Sequence, residues 1–77
     1  METQRYETSD IALASYLFCS GIHLLSIDRS NERRATFIFE APHTELILRW
    51  QAGTAVVNAL AFYNAYQALK FKVFRGD

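Results

Sequence analysis

Residues 23–40 read HLLSIDRSNERRATFIFE. In HLLSIDR (23–29) the side chains repeat with period two. His23, Leu25 and Ile27 share one face, and Leu24, Ser26 and Asp28 share the other. In RATFIFE (34–40), Ala35, Phe37 and Phe39 face one way while Thr36, Ile38 and Glu40 face the other. The polar SNER (30–33) between them has turn chemistry. Two β-type runs joined by a short polar turn predict an antiparallel hairpin.

On the N-terminal side the period changes. In TSD (8–10), Ser and Asp suit the free N–H groups of a first helical turn, and Asp10 also suits the positive end of the helix dipole. In IALASYLFCS (11–20), Ile11, Ala14, Leu17 and Phe18 fall at helical spacing, and Gly21 is placed to end the helix in a left-handed conformation. RYE (5–7) reads as a short edge strand or extended arm.

On the C-terminal side, Pro42 sits where a first helical residue would go. HTELILRWQA (43–52) forms a short helix with Leu46, Ile47 and Trp50 inward, ended by Gly53. The remaining segment, AVVNALAFYNAYQALKFKVF (55–74), has 15 apolar or aromatic residues among its 20. As one helix it would lack the wet face that a surface helix keeps. TAVV (54–57) is β-branched at three of four positions, which favours extended backbone, and Asn58 is a good N-cap. A helix starting there has an inner stripe of Ala59, Phe62, Tyr66, Leu69 and Val73. Leu60, Ala61, Ala68 and Phe71 form a second apolar side.

The predicted fold is α+β: a small antiparallel hairpin or sheet packed by an N-terminal helix, a short second helix and a longer C-terminal helix. Seventy-seven residues make one compact domain over 1–77, with residues 1–4 frayed. A chain this short buries roughly 60% of its unfolded surface, so oligomerisation is a natural addition to its stability. Apolar residues are 51% and charged residues 21%, a globular composition.

Several patterns taken together are familiar. TSDIALASYLFCSGIHLLSI (8–27) resembles the opening of a small bacterial and phage domain family of unknown function, through Thr8, Ser9, Asp10, Leu13, Ala14, Gly21 and His23. FIF (37–39) and VNALAFYNAYQALK (57–70) are similar to later parts of that family. Ile22, between Gly21 and His23, departs from the family pattern, as does Ile11 where the family tends to have Leu. The resemblance implies a compact α+β domain and carries no assigned activity, ligand or site residue.

Catalytic and metal signals are sparse. Cys19 and His23 are four apart, but Gly21 breaks the helix between them, and a tetrahedral site would need further ligands from His43 or scattered acids. A packed thiol is the stronger reading. Ser9 and Ser20 read as helix-end residues, and three separated glycines make no phosphate loop. We therefore expect neither an enzyme nor a cofactor site. The polar N-terminus and the Asn, Gln and Lys residues of 55–74 argue against a signal peptide and a membrane span, and one cysteine fits a reducing cytoplasm.

Binding signals are of three kinds. Phe37 and Phe39 beside Arg33 and Arg34 invite comparison with base-stacking sheets, although alternating Phe on a hairpin points to core. Lys70, Lys72 and Arg75 complement the negative end of a helix dipole or contact nucleic acid, but a net charge of zero lacks the basic excess of non-specific binders. Tyr63 and Tyr66 suit core, pocket or interface. RGD (75–77) is read as chance, with Gly76 as helix terminator.

The leading expectation is a small cytoplasmic interaction module, a homodimer joined by its C-terminal helix through Leu60, Ala61, Ala68 and Phe71. The alternative is a nucleic-acid-binding accessory protein of phage or plasmid type, acting through Lys70, Lys72 and Arg75.

Overall fold

A computed structural model describes residues 5–31, 33–41 and 44–75, with Arg75 described by its backbone alone. The elements run β1 (Arg5–Thr8), α1 (Ile11–Cys19), β2 (Leu24–Asn31), β3 (Arg34–Glu40), α2 (Thr44–Ala52) and α3 (Ala59–Arg75). The three strands form one antiparallel sheet in the order β1-β3-β2. The α+β class, the hairpin and the edge strand therefore match the sequence expectation. The fraying expected of residues 1–4, and the readings that involve Pro42, His43, Gly76 and Asp77, lie outside the described residues.

Strand β3 is central, so its inner side chains have neighbours on both sides. Phe39 lies opposite Tyr6 and Leu24, and Phe37 lies opposite Thr8 and Ile27. Both phenylalanines are buried, at 0% and 2% exposure. The base-stacking comparison fails for that reason: these rings are the floor of the core.

Strand β2 does not keep strict alternation. Leu24 is opposite Phe39 and Ser26 is opposite Ile38, so Leu25 is an extra residue at a bulge. The bulge resets the phase. Leu24 and Ile27, not Leu25 and Ile27, fall on the inner face and pack on the core. Leu25 is pushed outward to 38% exposure. A second irregularity lies between Asp28 and Asn31. There the Asp28 carboxylate accepts the Ser30 N–H at 2.9 Å, and Asn31 accepts the Arg33 N–H at 2.9 Å. The Ser30 backbone and side chain hold the Asp28 carboxyl below its ordinary pKa.

Helix α1 begins at Asp10, whose carboxylate accepts the N–H groups of Ala12 and Leu13. It ends in a Schellman motif. Ile22 N–H donates to Leu17 C=O, Gly21 N–H donates to Phe18 C=O, and Gly21 has φ +90°. Leu13 to Leu17 are all buried, five residues in a row. The expected single stripe of Ile11, Ala14, Leu17 and Phe18 is thus too narrow; Ile11 and Phe18 are only half-buried. A helix buried on every side lies inside the domain rather than on it. The one polar residue of this run, Ser15, donates its hydroxyl to Ile11 C=O at 2.7 Å, which removes the cost of burying it.

Helix α3 lies alongside α1. Asn58 caps it as expected, accepting the Ala61 N–H at 2.9 Å. Residues 54–58 are in neither helix nor strand. The inner stripe differs from expectation in two places: Ala59 is exposed, and Ala65, at 5% exposure, joins fully buried Leu69 at its centre. Phe62, Tyr66 and Val73 are half-buried. Helix α2 is attached more lightly. Leu46, Ile47 and Trp50 face the core as expected, but none is fully buried. Trp50 stacks on buried Tyr16 with ring centroids 5.2 Å apart. Gly53 ends α2 with φ +76° and a second Schellman pair, Thr54 to Arg49 and Gly53 to Trp50.

Candidate functional site

The outward face of α3 is apolar. Leu60 is 67% exposed, Tyr63 58%, Phe71 54% and Phe74 74%. With exposed Gln67 they follow spacings of 3, 4, 4 and 3 residues. At about 100° per residue all five fall within roughly 80° of arc, opposite the Ala65–Leu69 side. Of the four interface residues singled out from sequence, Leu60 and Phe71 lie on this stripe. Ala61 is exposed on its shoulder and Ala68 is half-buried beside it. Helix α2 packs on the core through Leu46, Ile47 and Trp50, with Trp50 stacked on Tyr16. Tyr63, which the sequence allows as core, pocket or interface, and Phe74, near the end of the second apolar side, complete the stripe. Their positions at 3 and 14 residues from Leu60 carried the signal.

A second feature lies where the β2–β3 hairpin meets the end of α3. Arg29, Asn31, Arg33, Arg34, Ala35, Val73 and Phe74 line a groove of about 290 Å³. Arg29 reaches across it and donates from Nη1 to Lys72 C=O at 3.0 Å. That guanidinium therefore satisfies a carbonyl at the negative end of α3. The basic residues expected from α3 itself are arranged differently. Lys70 Nζ stands 5.8 Å over the Tyr66 ring, Lys72 is half-buried, and only the backbone of Arg75 is described. The tertiary structure thus joins hairpin arginines to the α3 end, a juxtaposition with no local sequence signal.

Cys19 and His23 are separated by the Gly21 turn. Cys19 is half-buried and its Sγ donates to Tyr16 C=O at 3.4 Å, while His23 is exposed. Among the described residues no group of three or more His, Cys, Asp and Glu is placed to hold a metal ion. Burial pushes the Cys19 thiol up, partly offset by hydrogen bonding to its own backbone and to Ser20. A raised thiol pKa favours the protonated folded form. Stability from this group is therefore intact below the unfolded thiol pKa of about 8.5 and falls as pH rises through the folded value. We expect iodoacetamide at pH 8 to label Cys19 more slowly than an unstructured cysteine peptide, followed by mass spectrometry. Equal rates would show an accessible, unperturbed thiol.

A family model described as a domain of unknown function, DUF5659, matches residues 3–75. The chain belongs to this family. No curated protein and no solved structure matches it. The DUF5659 domain is thus an α+β unit of β1-β3-β2 order, with a central α1 and an α3 whose outward face is apolar. Among its described residues no helix is long and apolar enough to cross a membrane.

Proposed function

We propose that this DUF5659 domain is a non-catalytic cytoplasmic interaction module that forms a homodimer through antiparallel pairing of α3. The observation that carries this reading is the symmetry of the exposed stripe. Positions 60, 63, 67, 71 and 74 are palindromic about Gln67. A two-fold axis at Gln67 sets Leu60 against Phe74 of a second copy, Tyr63 against Phe71, and Gln67 against Gln67. Such a self-complementary patch is what an isologous interface requires.

Charge favours the same direction of pairing. Helix α3 carries no acidic residue, and its described cations, Lys70 and Lys72, lie in its C-terminal half. Parallel helices would bring like charges and like dipole ends together; antiparallel helices separate both. The four large side chains expose on the order of 500 Å², given aromatic areas of about 150–250 Å². That is more than half of the roughly 800 Å² per partner of a standard interface, and flanking Ala61 and Ala68 add to it. A polar Gln67 at the axis fixes register at some cost in stability, as polar seam residues do in coiled coils.

The test is light scattering at tens of micromolar, followed by cysteine cross-linking. The unaltered chain should scatter as twice its 8.8 kDa mass. Leu60→Glu should return a monomer, because the two-fold axis places the unpaired charge in the interface twice and weakens association by at least about 100-fold. In a Cys19→Ser background, Gln67→Cys should oxidise to a linked dimer. Leu60→Cys should not, since its two copies lie about 21 Å apart along antiparallel axes. A monomeric unaltered chain would sink the dimer, and a linked Leu60→Cys dimer would sink its direction.

A further inference from the structure

We propose that the groove between the β2–β3 hairpin and the end of α3 binds single-stranded nucleic acid through its phosphates. The net charge of zero hides an uneven distribution. Arg29, Arg33 and Arg34 line this groove, with Lys70 and Lys72 on the adjoining turns of α3. The other described cations are placed elsewhere. Arg49 pairs with Glu45, and Arg5 lies opposite Glu40 at the far end of the sheet. Asp28 stays ionised on the same hairpin, yet Arg29, Arg33 and Arg34 outnumber the two acids of the segment 28–34, Asp28 and Glu32.

The geometry suits a chain of phosphates better than a single ion. A second hollow of about 280 Å³ adjoins the first and shares Arg33, Arg34, Ala35 and Val73 with it. Arg33 and Arg34 therefore stand between two hollows, where successive phosphates of one strand would pass. Guanidinium groups present a planar fork that matches phosphate oxygens. Arg29 is already held by Lys72 C=O, so it loses little freedom on binding and covers a helix end that would otherwise repel an anion. The apolar members, Val73 and Phe74, give a sugar or base a surface to rest on. A phenyl ring has two faces, so contact with Leu60 of a second copy on one leaves the other for a base. Among the described residues no helix projects from the groove to enter a duplex, which favours a flexible single strand.

Fluorescence anisotropy with a labelled oligothymidine of about 12 nucleotides tests this, the length being within the range of single-strand sites. The unaltered chain should bind at micromolar concentration in about 50 mM salt. Log affinity should fall against log salt with a slope near −2 if three phosphates are neutralised. Arg33→Ala/Arg34→Ala, both at exposed positions, should weaken binding at least tenfold and flatten that slope, while Arg5→Ala should leave both unchanged. The Leu60→Glu variant should retain binding, which separates this site from the α3 interface. No anisotropy change at about 100 µM protein, the weak end of non-specific binding, would overturn the assignment. So would undiminished binding by the double variant, or tighter binding of a duplex of the same length.

Discussion

Phe39→Ala is expected to remove about 3–5 kcal/mol of folding stability, the usual cost of truncating a buried aromatic. A domain of this size is held by on the order of 4–12 kcal/mol in total, at roughly 0.05–0.15 kcal/mol per residue. The substitution therefore takes a large share of what keeps the chain folded. The reason is position. Phe39 is fully buried on the central strand, between Tyr6 on β1 and Leu24 on β2, beneath the helix layer. Removing its ring opens a cavity under all three strands, and a 77-residue domain has little else with which to fill it. Urea denaturation should show a lower midpoint with a similar slope. A loss below about 1 kcal/mol, the range of ordinary substitutions, would mean that the site collapses or that the ring is not closed in.

The second large effect separates the two faces of one helix. Leu69→Ala should cost about 2–5 kcal/mol, because Leu69 is fully buried where α3 meets α1. The same replacement at Leu60, 67% exposed, should change the stability of the isolated domain by no more than about 0.5 kcal/mol. If α3 pairs with a second copy, Leu60→Ala instead appears as weaker association and as stability that depends on protein concentration. Leu69→Ala lowers stability at every concentration. Denaturation at two concentrations, read beside light scattering, tells these outcomes apart. Equal effects of the two substitutions would contradict the assigned orientation of α3.

Much of the fold is legible from short-range chemistry. Asp10 and Asn58 have side chains that satisfy free N–H groups at helix starts, and both act as caps. Gly21 and Gly53 tolerate left-handed backbone, and both end helices. The β-branched run 54–57 stays outside the helix that follows it. Alternation in 34–40 correctly sets Phe37 and Phe39 on one face. These features depend on neighbours within about four residues, which is why the order of residues reveals them.

The misreadings share one cause. The bulge at Leu25 shifts the phase of β2, because the inner face of β3 demands Leu24 and Ile27. The breadth of burial on α1 was underestimated for a similar reason. A helix shows one stripe when one side is covered, whereas α1 has the sheet, α3 and the Trp50 ring around it. A small residue such as Ala65 adds little to a hydrophobic pattern, yet at 5% exposure it is buried on the side of α3 that carries fully buried Leu69.

The candidate surfaces divide in the same way. Order along the chain already contains the palindromic spacing about Gln67, since every position of that stripe lies on one helix. It could not show that this side of α3 faces solvent; that depends on Ala65 and Leu69 turning the other side to α1. The groove is wholly tertiary. Arg29 and Lys72 are 43 residues apart, and only the hairpin and the packing of α3 bring them within 3.0 Å. Local sequence determined where each element starts, stops and turns, because those choices rest on backbone hydrogen bonds and dihedral preferences. Packing decided which faces were left exposed and which charges met, because burial is a property of the whole assembled surface.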